Sequence, residues 1–310
     1  DQTAETLRGL SDIVHGAPPV LKQATKHTSN THARVMADGR SMPTTERTEP
    51  IAKVPGERTS FDYWKAPCIG VLGSNGIIAG IDNATGHFRL YPVTTKAMAP
   101  EVCDRYYKEA ARDGVEIKPG FVYYSDNEMI FKSKRLFNIL DEHQLLHEFS
   151  AEYEPWGNGG IESVFRYCVE GMCRAHVRGG APDELWEFSA LDQESLLNSV
   201  RSRDGTSVRE KWCGRRPDIS RRRVLFCKIT ARMPIPWRTG KIGEKQIEGV
   251  YCGKARNKQG VYIWSEKYGL CTSSSYTCIE SEFPFKDGTV VYKPRPRGSG
   301  GGGGGGGVPA

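Results

Sequence analysis

The chain has 310 residues, 38% of them hydrophobic and 26% charged, enough for one medium and one small domain. No apolar run approaches the roughly 18 residues a membrane helix needs, and the opening DQTAETLRGLSD has neither the basic start nor the apolar stretch of a signal peptide. The net charge of +6 hides an asymmetry: residues 1–200 carry −7 and residues 201–310 carry +13, a basic half of the kind nucleic-acid proteins show. The nine cysteines form no CxxC pair, their closest spacings being Cys168-x4-Cys173 and Cys271-x6-Cys278. That usage predicts reduced thiols and a cytosolic or nuclear protein. His27 and His32 have no cysteine near them and read as surface residues.

In chain order, residues 1–57 show little hydrophobic periodicity and read as an extended leader. Thr59–Trp64 is a strand candidate. Ile77–Ile81 and His87–Val93 are two more, joined by the turn Asp82-Asn83-Ala84-Thr85-Gly86, so they can pair as a hairpin. Pro100–Asp113 reads as a helix, with proline at its start and Gly114 after its end. Phe121–Ser125 and Leu145–Phe149 are strands flanking a helix over Lys132–His143, where Leu136, Ile139 and Leu140 recur at helical spacing. A loop rich in proline, glycine and asparagine covers Glu154–Gly160, and helices follow over Ile161–Val177 and Asp183–Val200. The succession predicts an α/β domain over residues 58–200, a mixed sheet flanked by helices. Residues 201–223 form a basic linker with nine Lys or Arg against three acids. Short β-like runs at Val224–Ile229, Glu248–Cys252, Gly260–Trp264 and Ser275–Ile279 predict a small barrel over 224–285. Residues 286–310, with a run of glycines before the final Val308-Pro309-Ala310, read as a flexible tail.

Three acids are the candidates for chemistry. Asp62 sits inside the apolar run of the first strand, Asp126 just past the strand ending in Ser125, and Glu162 at the start of a helix after a glycine-rich loop. Thirty-five residues separate Asp126 from Glu162. Carboxylates converging from different elements are what two-metal phosphoryl transfer requires, because they hold hard cations about 3.5–4 Å apart. Each acid also has a plain structural reading. Asp62 suits an edge strand facing water, Asp126 a strand-end turn, and Glu162 the first turn of a helix. Asp82 competes with Asp62 as first acid, but its turn setting fits a structural role better.

The flanking residues carry a resemblance. Tyr124-Ser125-Asp126-Asn127 closes a strand, and Pro155-Trp156-Gly157-Asn158-Gly159-Gly160-Ile161-Glu162 presents the last acid. This resembles retroviral and retrotransposon integrases, which carry two Asp and a Glu thirty-five residues on, with a Pro-x-x-Asn-Gly-x-x-Glu loop. Leu185-Trp186, Asn198 and Arg216-Pro217-Asp218-Ile219-Ser220, with Glu248–Gly253 and Gly260–Tyr262, resemble the copia-type branch. The resemblance covers about residues 40–285. It implies a ribonuclease-H-like five-stranded core followed by an SH3-like barrel, part of a Pol polyprotein. It further implies 3′-end processing and strand transfer of retrotransposon cDNA, with Asp62, Asp126 and Glu162 holding two Mg²⁺ or Mn²⁺ ions. The implied partners are element and target DNA and further copies of the chain, and the implied location is nucleus and cytoplasm. Candidate DNA contacts are Asn158, Arg166, Arg215, Arg216, Arg221, Arg222 and Arg223. Arg166 either meets a phosphate or pairs with Glu162, one turn before it. The arginine cluster otherwise reads as a solvated linker.

The chain departs from the family in having Glu128 where a glycine is usual and Ser163 where Arg or Lys often follows the last acid. The family's His-His-Cys-Cys zinc module is absent from it. The alternatives are therefore a catalytically inactive, DNA-binding remnant of such a polyprotein, or a nuclease of the same fold.

Overall fold

The computed structural model describes residues 52–150, 159–200, 204–238, 242–256 and 259–293. Most of the leader, the loop residues 151–158 with Asn158, and most of the tail lie outside them. The elements are β1 (Arg58–Lys65), β2 (Gly76–Asp82), β3 (Phe88–Val93), α1 (Ala99–Asp113), β4 (Val122–Ser125), α2 (Lys134–Glu142), β5 (Leu146–Phe149), α3 (Gly159–Gly179), α4 (Trp186–Ser199), α5 (Val208–Cys213), β6 (Lys228–Arg232), β7 (Gln246–Lys254), β8 (Val261–Ser265), β9 (Gly269–Ser273) and β10 (Tyr276–Ile279). Contacts group them into two compact units. Among the described residues, one holds 52–66, 75–150, 159–167, 194–200 and 204–222, the other 67–74, 168–193, 223–238, 242–256 and 259–293.

The first unit is built on a mixed five-stranded sheet in the order β3-β2-β1-β4-β5. β1, β2 and β3 run antiparallel in turn, while β1–β4 and β4–β5 are parallel. The parallel pairings need crossovers. α1 lies on the connection from β3 to β4 and α2 on that from β4 to β5. α1 forms because Pro100 suits a first turn and Gly114, at φ 89°, ends it by donating to the carbonyls of Ala110 and Ala111. α2 starts on Ser133, whose hydroxyl accepts from the Leu136 N–H at 3.2 Å. Val102, Cys103, Tyr106, Tyr107 and Ala110 of α1 and Leu136 and Leu140 of α2 are buried in one core with Phe61, Ile78 and Tyr123. Phe61 stacks on Tyr123 at 4.6 Å and meets Tyr106 edge-on at 5.2 Å. Gly80 on β2 makes room for this, since a Cβ there would stand 2.8 Å from the Phe61 ring. The edge strand β3 is covered by side chains: Asn198 accepts from the Phe88 N–H and donates to its carbonyl, and Glu194 accepts from Leu90.

The basic linker differs from expectation. Residues 208–213 form the helix α5, capped by Ser207 accepting from the Glu210 N–H at 3.0 Å. Its Trp212 is 2% exposed, stacks on His87 at 4.6 Å and donates to Asp113 at 3.1 Å. One buried indole therefore converts a charged linker into part of the first core.

The second unit carries an antiparallel five-stranded sheet in the order β10-β6-β7-β8-β9. β9, with the short polar pattern GLCTS, has no counterpart among the predicted strands. Leu225, Phe226, Ile229, Val250, Ile263 and Trp264 form its core together with Ala175, Leu185 and Phe188 of the helical segment. Glu187, wholly buried, accepts from the Leu72 and Ser74 N–H groups at 2.7 and 3.1 Å and so fixes the loop 67–74. Among the described residues no helix is long and apolar enough to cross a membrane.

Candidate functional site

The β1–β4 register brings two of the predicted acids together. The last parallel pair is Phe61 with Ser125. The next residues are Asp62, still inside β1 and opposite Ala79 of β2, and Asp126, the first residue past β4, and the Asp126 charge bears on Asp62. Glu162 comes from the first turn of α3. Its charge, with those of Asp126 and Glu128, bears on Asp62. Burial pushes the Asp62 carboxyl up to about 6, the three neighbouring acids push the same way, and the Tyr63 N–H, donating at 2.7 Å, opposes them. Burial and the Glu128 charge also raise Asp126, against a hydrogen bond from the Glu128 N–H at 3.1 Å and the charges of Lys96 and Lys132.

Hard carboxylate oxygens that repel one another suit a hard divalent cation. The described residues nevertheless contain no group of three or more His, Cys, Asp or Glu side chains that could hold a metal ion as they stand. Glu162 is exposed on a helix start.

The strand ends are braced from behind. Asn127 donates to the Ser150 carbonyl at 2.8 Å. The Ser125 hydroxyl lies 3.0 Å from His147 Nε2, and burial pushes that imidazole down to about 4. His147 is thus a neutral strand residue at pH 7. Asp82 is engaged in the turn: one oxygen accepts from the Gly56 N–H, the other from the Thr85 N–H and hydroxyl. Ser163, in the position after Glu162, donates to the Gly159 carbonyl at 2.7 Å.

The candidate basic residues have mixed settings. Arg166 is exposed, over the Tyr167 ring at 5.2 Å. Arg215 donates to the Asp113 carbonyl at 2.8 Å, Arg216 lies 3.5 Å from Glu210, and Arg223 lies 3.8 Å from Glu280. The Arg222 N–H donates to Ile219, and Arg221 is exposed. Arg223 belongs to the second unit and the other cluster arginines to the first. Lys96, which joins Glu128 beside the acids, has no signal in the sequence, because its place depends on how β3 leads into α1.

No family model matches this chain, and no curated protein matches it. Among solved structures, the catalytic core domain of the HTLV-2 integrase, in a trimeric complex with magnesium, is similar over 50% of this chain and 95% of its own, at 12% identity and a TM-score of 0.38. That likeness is too slight to assign either a fold or an activity.

Proposed function

We propose that the first unit is the catalytic core of a DNA integrase of the copia type, a polynucleotidyl transferase that processes 3′ ends and joins them to target DNA. The observation that supports it best is that Asp62 and Asp126 directly follow the last parallel pair of β1 and β4, Phe61 with Ser125, and that the charges of Asp126 and Glu162 both bear on Asp62. Asp62, Asp126 and Glu162 would hold two Mg²⁺ or Mn²⁺ ions. When bound, such ions activate the attacking oxygen and stabilise the leaving one. The chain's own part is to fix the acids. β1 and the end of β4 set Asp62 and Asp126, the Asn127 and Ser125 contacts hold the turn after β4, and α3 delivers Glu162. The basic residues Arg166, Arg215, Arg216, Arg221, Arg222 and Arg223 would steer the DNA backbone. The partners in this reading are element and target DNA and further copies of the chain. The second sheet would be the small SH3-like barrel of that family, and the protein would work in nucleus and cytoplasm.

The test is reverse strand transfer (disintegration) on a branched DNA with Mn²⁺, which needs only the core and no known end sequence. The expected result is resealing that Glu162→Gln reduces at least a hundredfold while DNA binding persists. Resealing retained in that variant would reject the acid assignment. The second reading, an inactive DNA-binding remnant, is favoured by Glu128 beside Asp126. It predicts salt-sensitive DNA binding with no resealing in the unaltered chain.

A further inference from the structure

Lys96 stands next to the acid site without belonging to it. Its ammonium binds both carboxylate oxygens of Glu128, at 3.0 and 3.2 Å, and lies 4.9 Å from the centre of the Tyr63 ring. Glu128 follows Asp126 by two residues and Tyr63 follows Asp62 directly, so one cation touches a chain neighbour of each acid. The backbone under it is fixed as well: Lys96 opens a 3₁₀ turn whose cap, Thr95, accepts from the Ala97 N–H at 3.3 Å.

An ion pair this open does little for the fold. Lys96 and Glu128 are 43% and 42% exposed, and pairs of that kind contribute about 0–1 kcal/mol. Its geometry suits another purpose. Carboxylates crowded at one sheet end repel a polyanion that must cross them. A cation held at their rim offsets that repulsion locally. The ammonium has three donors and a solvent-open side, while the acid and the ring limit where the long side chain can go.

We propose that Lys96 is a phosphate-contacting residue: it takes the phosphodiester backbone of a nucleic-acid strand laid across the acids, with Glu128 and Tyr63 presenting it. The step is an exchange of ionic partners, Glu128 for phosphate, with no bond made or broken. This rests on reading the acids as a nucleic-acid-processing site. It also gives Glu128, where a glycine is usual in the resembled family, a positioning role.

The experiment is equilibrium binding of the full chain to a duplex oligonucleotide at several salt concentrations, read by fluorescence anisotropy without divalent metal. Each phosphate contact contributes about 0.9 to the slope of log affinity against log salt. Lys96→Met is expected to lower the slope by about that amount, and Lys96→Arg to keep it. In the double variant Lys96→Met with Glu128→Gln the lower slope is expected to remain. An unchanged slope in Lys96→Met overturns the proposal. So does recovery of full slope and affinity in the double variant, which would mean that Lys96 only neutralises Glu128. If the unaltered chain shows no salt-dependent binding, this proposal and the integrase reading fall together. Binding by the unaltered chain with an unchanged slope in Lys96→Met removes Lys96 alone.

Discussion

Asp62 sits in β1 one residue past the last parallel pair with β4 and still opposite Ala79 of β2, half-buried and under the charge of three other acids. Its carboxyl, pushed up to about 6, binds a proton more readily in the folded chain than in the unfolded one, where the value is about 3.8. The stability consequence has a definite sign. Below about pH 4 the group is protonated in both states and costs nothing. As pH rises from about 4 through about 6, the folded state loses stability, by about 3 kcal/mol in all, because a shift of one unit is worth about 1.4 kcal/mol. Asp62→Asn removes this segment. Urea unfolding of both proteins without divalent metal should therefore show the variant gaining on the unaltered chain between pH 4 and pH 7. A difference that stays constant across that range would mean the carboxyl is not strained. Trp212 supports a second residue-scale prediction. Buried, stacked on His87 and bonded to Asp113, it should cost about 3–5 kcal/mol when replaced by alanine, measured as a fall in the urea midpoint. A cost under 1 kcal/mol would return residues 208–213 to the status of a linker.

At the scale of elements, periodicity and punctuation were good guides. Pro100 and Gly114 mark α1 to within a residue, and the Asp82 turn joins β2 to β3 as the hairpin pattern requires. Two elements escaped. β9 carries too little apolar pattern in GLCTS to stand out from its turn, and exists because β8 pairs with it from Val261 to Ser265. α5 is hidden by charge and length: VREKWC is six residues long with three charges in its middle, and only Trp212 is buried. Gly80 belongs to this scale too. Its glycine is required because Phe61 and Tyr106 close over the strand. Gly80→Ala is expected to lower the thermal midpoint, and an unchanged midpoint would show that the two rings can retreat.

For the whole molecule, the second sheet does not have a core of its own chain segment alone. Ala175, Leu185 and Phe188 complete it from the helical region, and Glu187 anchors the loop 67–74 in the same unit. A fragment of residues 224–293 is therefore expected to unfold without a cooperative transition and to show poor amide dispersion by NMR. A sharp transition in that fragment would mean the strands suffice. The charge asymmetry remains a property of the sequence and does not coincide with these units, since residues 194–222 fold with the first sheet.

The sequence by itself determined the mixed sheet with its helices, through short apolar runs bounded by turns and through helical spacing, and it singled out Asp62, Asp126 and Glu162 by their settings and separation. It could do so because those signals are local: turn residues, apolar spacing and a motif within one loop. Only the tertiary structure decided that Asp62 and Asp126 come near enough for one charge to bear on the other, because that follows from a parallel register between strands some sixty residues apart. It alone joined Lys96 to Glu128, and it alone drew 67–74 and 168–193 to the second sheet. Those contacts arise from burial and charge between distant segments, which no window along the chain contains.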